Sequence, residues 1–191
     1  MAEPNIPHAD GHLAETRIDG EQVFRGKLLD VRCDRIRLPD GNEATREYVV
    51  HQGAAVIIPI LDGGELLLER QFRYPLGRVT IELPAGKVDP GEDGFAAAKR
   101  ELLEETGYVA DEWRYLGTMH PCVGYSNEGL EVFVAQRLRR QAAQRLDHGE
   151  AVDVLTMTLD AALEAIRAGV ITDAKTISGV FWAEKILQSG W

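Results

Sequence analysis

The sequence has few cysteines and no long apolar run. Its 191 residues include only Cys33 and Cys122, in unrelated settings, which argues against a disulfide framework and favours a reducing compartment. No stretch approaches the ~20 apolar residues that span a membrane. The first residues also lack the apolar core of a secretory signal. We therefore expect a cytoplasmic protein with no membrane partner.

Basic residues are in the minority, and they form no long run. The chain has 21 Lys and Arg against 31 Asp and Glu, which gives a formal net charge of −10. A general nucleic-acid surface needs clustered positive charge, so we expect no nucleic-acid partner. The hydrophobic content of 45% is enough to form a core in a chain of one-domain length.

Changes in residue pattern divide the chain into three segments. Residues 1–15 contain two prolines and little periodicity, which predicts a flexible N-terminus. Residues 16–51 predict a β-hairpin region around the turn sequence PDGN at 39–42. Residues 52–191 predict strands in mixed order with helices, which indicates an α+β domain.

The most informative stretch is residues 86–108, GKVDPGEDGFAAAKRELLEETGY. Turn-forming residues occupy its first half and resist regular structure. The second half predicts a helix over residues 93–106. Asp93 is suited to cap its start, and Gly107 is suited to cap its end in a left-handed conformation.

This helix carries a cluster of acidic side chains. Glu101, Glu104 and Glu105 fall within an arc of roughly 100°, because spacings of three and four superpose on a helix. Arg100 can pair with Glu104, but one arginine does not offset three carboxylates. Hard oxygen ligands with no His or Cys nearby favour magnesium or manganese over zinc. The alternative is a solvated acidic helix face without a ligand.

The spacing of residues across this stretch resembles the Nudix box. In the pattern G-x5-E-x7-R-E-U-x-E-E-x-G-U, U is a bulky aliphatic residue. Every fixed position is matched from Gly86 through Glu92 to Gly107, and only Tyr108 departs, where Ile, Leu or Val is usual. The resemblance implies an α/β/α sandwich with a mixed sheet, here with an appended N-terminal β-hairpin. It also implies an enzyme that hydrolyses diphosphates with the help of a metal ion.

Motifs outside the box resemble the ADP-ribose pyrophosphatase subfamily of Nudix hydrolases. They are ERQFRY at 69–74, ELPAG at 82–86, HPCVGYSNE at 120–128 and TDAKT at 172–176. The resemblance implies hydrolysis of ADP-ribose to AMP and ribose 5-phosphate. GDP-mannose or another nucleotide sugar is an alternative substrate. A non-catalytic nucleotide-sugar sensor is a further alternative, which the three intact box glutamates disfavour.

The resemblance also assigns metal ligands. Mg²⁺, with Mn²⁺ as the alternative, would be bound by Glu101, Glu105 and the backbone carbonyl of Ala85. Glu104 is divided between metal binding and pairing with Arg100, so both residues are included among the catalytic candidates.

The expected general base is Glu128, in the loop downstream of the box, with Glu131 as the alternative. Glu92 lies just before the helix, where a carboxylate is favoured by the helix dipole. For Glu92 a structural role and a metal-linked role therefore both stay open.

Substrate contacts are expected from residues upstream of the box. Arg73 is the candidate for binding phosphate, because arginine can donate two parallel hydrogen bonds to it, and Arg70 and Arg78 compete for this role. Glu82, which opens the ELPAG motif, is also assigned to substrate binding.

The N-terminal hairpin predicts a homodimer. An isolated hairpin is marginal in water, and a second copy of the chain offers a surface for it. The resembling enzymes exchange N-terminal pieces in this way. Phe24 and Arg46 are then candidates for binding the nucleobase by stacking and cation–π contact.

Overall fold

The computed structural model describes residues 10–146 and 149–190. These residues form two compact units. The first comprises the described residues up to His51 together with Cys122–Glu128, and the second comprises the rest of the described chain. No helix within these residues is both long enough and apolar enough to cross a membrane.

The first unit is a three-stranded antiparallel sheet in the order β1-β2-β3. Its strands are β1 (Thr16–Arg25), β2 (Asp30–Arg37) and β3 (Glu43–Val50). The predicted hairpin is the β2–β3 pair, whose connection turns at Gly41 with a left-handed φ of 88°. The sheet is larger than that hairpin, because β1 pairs with the other side of β2. Most of the predicted flexible segment, residues 1–9, lies outside the described residues.

An ion pair between the exposed Arg17 and the buried Asp34 ties β1 to β2. Asp34 is 6% exposed and accepts hydrogen bonds from Arg17 Nε at 2.8 Å and from the Tyr48 hydroxyl at 3.0 Å. A Cβ at Gly20, which is paired with Asp34, would overlap the Asp34 carboxylate. The small residue on β1 therefore allows a charged side chain to lie between the strands.

The segment Cys122–Glu128 joins the first unit through β3. The Val49 N–H donates to the Tyr125 carbonyl at 2.8 Å, and the His51 N–H donates to the Asn127 side-chain oxygen at 2.7 Å. These backbone contacts fix the loop in which the predicted base Glu128 lies.

The second unit contains a four-stranded mixed sheet in the order β7-β4-β9-β8. Its strands are β4 (Ala54–Pro59), β7 (Ala85–Lys87), β8 (Tyr108–Met119) and β9 (Leu130–Arg140). β4 and β9 are parallel, and the other pairs are antiparallel. Every residue of β4 is buried, which agrees with its almost wholly apolar sequence.

A second sheet in this unit is antiparallel, in the order β10-β5-β6. Its strands are β5 (Leu66–Arg73), β6 (Arg78–Glu82) and β10 (Val152–Met157). β6 leads directly into β7, so the end of this sheet and the start of the box loop are covalently adjacent.

Three helices complete the unit: α1 (Gly94–Glu101), α2 (Leu159–Arg167) and α3 (Ala174–Ser189). Each begins after a residue whose side chain accepts a hydrogen bond from the first helical turn. These capping residues are Asp93, Thr158 and Asp173.

The helices cover both faces of the mixed sheet. One core lies between α1 and the sheet and contains Ala55, Ile57, Ala97, Ala98, Leu102, Phe133 and Ala135. The other contains β4 residues of opposite orientation, such as Val56 and Ile58, together with Ala162, Val180 and Ala183 of α2 and α3. The second unit is therefore an α/β/α sandwich around a mixed sheet, which confirms the predicted fold class.

Candidate active site

The predicted helix over residues 93–106 has two parts. α1 ends at Glu101, and Leu102–Thr106 continue it as a π-helical turn. Gly107 then ends the helix with a left-handed φ of 76°, and its N–H donates to the Leu103 carbonyl at 2.9 Å. π-Helical turns are rare and occur frequently at functional sites. Here the wider turn holds two of the three clustered glutamates.

The predicted metal ligands come together beside β7. The Ala85 N–H donates to Glu105 Oε2 at 3.1 Å. A Cβ at Gly86 would overlap the Glu101 carboxylate. The loop strand thus passes directly against both glutamates, and only glycine at position 86 leaves Glu101 its space.

Arg100 connects the box loop to the helix. Its guanidinium binds Glu92 through two hydrogen bonds, of 3.1 Å and 2.9 Å, and donates to the Lys87 carbonyl at 2.9 Å. Its Nη1 also reaches Glu101 at 2.7 Å and Glu104 at 3.1 Å. The hydrogen bonds to Glu92 raise the pKa of Arg100 and lower that of Glu92. One arginine therefore serves three carboxylates.

Glu101 and Glu105 lie in surroundings that oppose their ionisation. Burial raises the pKa of Glu105, and the charges of Glu69 and Glu101 raise it further. Burial also raises the pKa of Glu101, although hydrogen bonding to Arg100 acts in the opposite direction. A bound cation would favour the ionised forms of both groups.

A second cluster forms around Glu82 at the end of β6. Arg73 binds it in a two-pronged arrangement, Nε to Oε1 and Nη2 to Oε2, each at 2.7 Å. Lys175 of α3 pairs with the same carboxylate, and the Thr80 hydroxyl donates to it at 2.6 Å. Burial opposes ionisation of Glu82, but the hydrogen bonds from Arg73 and Lys175 outweigh it and lower its pKa to about 2.

Hydrogen bonds connect the start of α3 to this cluster. Asp173 accepts from the Thr176 N–H at 2.9 Å and from Lys175 Nζ at 3.0 Å. Thr176 Oγ1 in turn accepts from the Leu83 N–H at 2.8 Å. Sequence analysis singled out the TDAKT motif but missed Lys175 as a residue of the cluster. The available signal was a lysine directly after a helix-capping aspartate.

Glu69 is a further residue that sequence analysis did not assign to the site. It follows three buried leucines on β5 and is itself only 4% exposed. Its partner in the strand register is Glu82. The detectable signal was a carboxylate at the end of an otherwise apolar strand run.

The competing arginines have different surroundings. Arg78 donates to the Thr172 hydroxyl at 2.7 Å, and Arg70 lies 4.0 Å from Asp153, both on the surface. Arg73 is the one of the three that pairs with a buried carboxylate.

The alternative base Glu131 belongs to β9, and its side chain lies beside the start of α1. A Cβ at Gly94 would overlap the Glu131 carboxylate.

Three predicted site residues belong to the first unit. Glu128 Oε1 lies 3.7 Å from His51 Nδ1, and its N–H donates to the Ser126 hydroxyl at 3.1 Å. Arg46 pairs with Glu15, and Phe24 is 54% exposed. Their roles in the reaction stay predictions.

Comparisons with known proteins agree with this geometry. Residues 50–178 match the NUDIX domain family. The chain belongs to the Nudix family. Residues 15–49 of this Nudix hydrolase also match the nucleoside diphosphate sugar hydrolase N-terminal domain.

Similar proteins cover nearly the whole chain. An ADP-ribose pyrophosphatase of Bacillus subtilis is 38% identical over 86% of this chain and 89% of its own length. A methanol dehydrogenase activator of Bacillus methanolicus is 37% identical over 87% of this chain and 90% of its own length. The crystal structure of an ADP compounds hydrolase matches with a TM-score of 0.83 at 24% identity, covering 93% of this chain and 97% of that one, which shows the shared fold.

The Nudix box residues of this chain suit a hard divalent cation. The side-chain oxygens that approach β7 are those of the Glu101 and Glu105 carboxylates, which are hard ligands. Among the described residues no three His, Cys, Asp or Glu side chains already form a metal cluster. The expected set needs only two side chains, Glu101 and Glu105, with the Ala85 carbonyl as a backbone ligand.

The one departure from the Nudix box affects packing. Tyr108 is partly buried and packs against the core beneath α1. Its N–H donates to the Thr106 hydroxyl at 3.1 Å. An aromatic residue at this position therefore fills the place of the usual aliphatic one in the core.

Proposed function

We propose that this Nudix hydrolase cleaves ADP-ribose to AMP and ribose 5-phosphate with Mg²⁺, or Mn²⁺ in its place. The observation that carries the proposal is the convergence of Ala85, Glu101 and Glu105 in a chain similar to the Bacillus subtilis ADP-ribose pyrophosphatase. The match of residues 15–49 to a nucleoside diphosphate sugar hydrolase domain supports the same substrate class.

Metal binding is assigned to Glu101, Glu105 and the Ala85 carbonyl. When bound there, the cation neutralises charge on the phosphoryl oxygens and promotes ionisation of water. Glu104 is more exposed than Glu101 and Glu105, and it shares Arg100 with Glu92. We therefore assign Glu104 chiefly to holding the box helix and the box loop together.

Arg73 is assigned to the substrate diphosphate. Glu82 engages its Nε and Nη2, and no described residue engages Nη1. The side chain is 42% exposed, whereas that of Glu82 is 6% exposed. Glu82 thus orients a guanidinium that still has donors for a phosphate oxygen.

Glu128 is assigned as the general base. It takes a proton from the attacking water as the water oxygen bonds to one phosphorus atom. The bridging P–O bond breaks, and the second phosphate departs with the bridging oxygen. His51 Nδ1 lies 3.7 Å from the Glu128 carboxylate and is thus placed to help orient it.

The proposed enzyme acts as a cytoplasmic homodimer. Its two cysteines are both free thiols, as expected in a reducing compartment. The end of β1 and its connection to β2 present exposed apolar side chains, namely Val23, Phe24, Leu28 and Leu29. A second copy of the chain would cover them, and Phe24 and Arg46 would then help to bind the nucleobase.

A substrate panel tests this function. ADP-ribose, ADP-glucose and GDP-mannose are incubated with the protein, with and without Mg²⁺, and a phosphatase then releases phosphate from any monophosphate product. We expect Mg²⁺-dependent release that is fastest with ADP-ribose, with AMP and ribose 5-phosphate resolved by chromatography. Faster release from GDP-mannose would shift the assignment to that substrate. Binding without hydrolysis of any compound would support a sensor instead.

A further inference from the structure

The second unit contains three buried carboxylates, and only one of them is neutralised. Glu69, Glu82 and Glu105 are 4%, 4% and 8% exposed. Glu82 pairs with both Arg73 and Lys175. Neither Glu69 nor Glu105 forms an ion pair with any lysine, arginine or histidine of the described chain.

Glu69 is the more extreme of the two unneutralised groups. Its Oε1 atom is buried and has no hydrogen-bond partner within residues 10–146 and 149–190. By contrast, Glu105 accepts a backbone N–H. A buried polar atom without a partner is destabilising, and in native proteins such atoms mark strain, a catalytic role, or a bound water or ion.

The strand register adds to this instability. Glu69 and Glu82 are directly opposed on the antiparallel pair β5–β6, so their side chains lie on the same face of the sheet. Like charges in this arrangement destabilise a sheet. Lys175 and Arg73 act on Glu69 through their charges but form no ion pair with it. Arg73 binds Glu82 through two nitrogens, and Lys175 is shared by Glu82 and Asp173.

Glu69 lies within electrostatic range of the proposed metal ligands. Its charge is the largest electrostatic influence on the Glu105 carboxyl after burial, and it interacts with Glu101 as well. β5 therefore contributes a third buried carboxylate to the electrostatic surroundings of Glu101 and Glu105. A divalent cation is a compact source of positive charge, and its two charges would offset most of the negative charge of these three carboxylates.

We propose that Glu69 is a further residue of the metal site, whose negative charge strengthens binding of the divalent cation by Glu101 and Glu105. The inference rests on the proposed metal-dependent function. In this role Glu69 positions charge behind the ligands, as outer residues do around other protein metals.

Metal affinity tests the role directly, without turnover. Mn²⁺ binding is measured by the loss of its free-ion electron paramagnetic resonance signal for the wild type, Glu69→Gln, Glu105→Gln and Glu65→Gln. We expect Glu69→Gln to raise the Kd by about 10- to 100-fold, the range typical of residues behind metal ligands. Glu65→Gln is the matched control, because it makes the same change just before β5, and its Kd should equal that of the wild type.

Thermal unfolding gives an independent readout. Without metal, Glu69→Gln should melt at a higher temperature than the wild type, because an unneutralised buried charge has been removed. Addition of saturating Mg²⁺ should raise the melting temperature of Glu69→Gln by less than it raises that of the wild type. Glu69→Leu provides the same comparison with an apolar side chain, should the glutamine amide itself be destabilising.

The outcomes separate this inference from the proposed function. A wild-type Kd for Mn²⁺ in both Glu69 variants, with binding lost in Glu105→Gln, would overturn the role of Glu69 and leave the metal site intact. A wild type that binds no Mn²⁺ would overturn the metal-dependent function, and the role of Glu69 with it.

Discussion

Gly86 leaves the space that the Glu101 carboxylate occupies, because a Cβ at position 86 would overlap the Glu101 oxygens. Its neighbour Ala85 at the same time donates its N–H to Glu105. The loop strand and the box helix are therefore fitted to each other through glycine at one position and a backbone group at the next. This fit makes the site sensitive to changes that the fold would tolerate.

Gly86→Ala should impair the site more than the fold. The overlapping atoms are the end of a flexible side chain, so Glu101 can move aside, and the free energy of unfolding should change by less than about 1 kcal/mol. Displacement of Glu101 should lower kcat/KM at least ten-fold. Gly11→Ala is the control, because nothing lies within 4 Å of a Cβ there. Unchanged activity in Gly86→Ala would contradict the requirement for Glu101 to stay in its present position.

Glu105→Gln should abolish most activity without loss of stability. The change keeps the size of the side chain and removes a charge that burial and Glu69 disfavour. We expect kcat to fall by about two orders of magnitude or more, while the metal-free melting temperature stays constant or rises. Glu104→Gln is the comparison, and its smaller loss would fit its greater exposure. If Glu105→Gln turns over substrate at the wild-type rate at saturating Mg²⁺, Glu105 is not a metal ligand.

Glu82→Gln should alter the dependence of stability on acid. The folded-state pKa of Glu82 is about 2, below the ordinary value of 4.5. Its ionisation therefore stabilises the folded state above pH 4.5, and this contribution is lost as the pH falls from 4.5 through 2. At pH 7 the substitution should cost about 3 kcal/mol, since Arg73 and Lys175 lose a buried partner.

Denaturant unfolding at pH 7, 5 and 3 measures this effect. The difference in unfolding free energy between wild type and Glu82→Gln should shrink as the pH decreases from 5 to 3. Parallel pH profiles would show that Glu82 does not supply the acid sensitivity.

Glu128→Gln should separate a base from a metal ligand. A general base accepts a proton from water without holding the ion, so the rate should fall at least ten-fold while the Kd for Mn²⁺ changes little. Rate measurements and Mn²⁺ titration on one preparation make the comparison. If the variant loses Mn²⁺ as strongly as Glu105→Gln, Glu128 is a ligand instead.

Sedimentation of the full chain should give the mass of a dimer. In that dimer, Phe24→Ala should raise KM for ADP-ribose several-fold with little change in kcat, because stacking on the base acts on binding. Glu21→Ala is the control, because Glu21 is an exposed residue of the same strand that does not belong to this apolar group. A monomer with full activity would rule out a shared site.

Much of the fold was predictable because its signals are local. The caps at Asp93 and Gly107, the buried strand β4 and the turn at Gly41 each depend on a few neighbouring residues, and the structure contains all of them. The π-helical turn was not predicted, because a regular period of 100° per residue does not reveal where a helix widens.

By itself, the sequence determined the Nudix family, the α/β/α fold and which helix carries the acidic cluster, since the box spacing lies within one continuous segment. The tertiary structure decided which carboxylates are neutralised. Glu82 gains an ion pair with Lys175 from a helix 93 residues away, while Glu69, opposite Glu82 in the sheet, forms no ion pair within the described residues. That difference is set by packing between distant segments, because the charge state of a buried group depends on its neighbours in space.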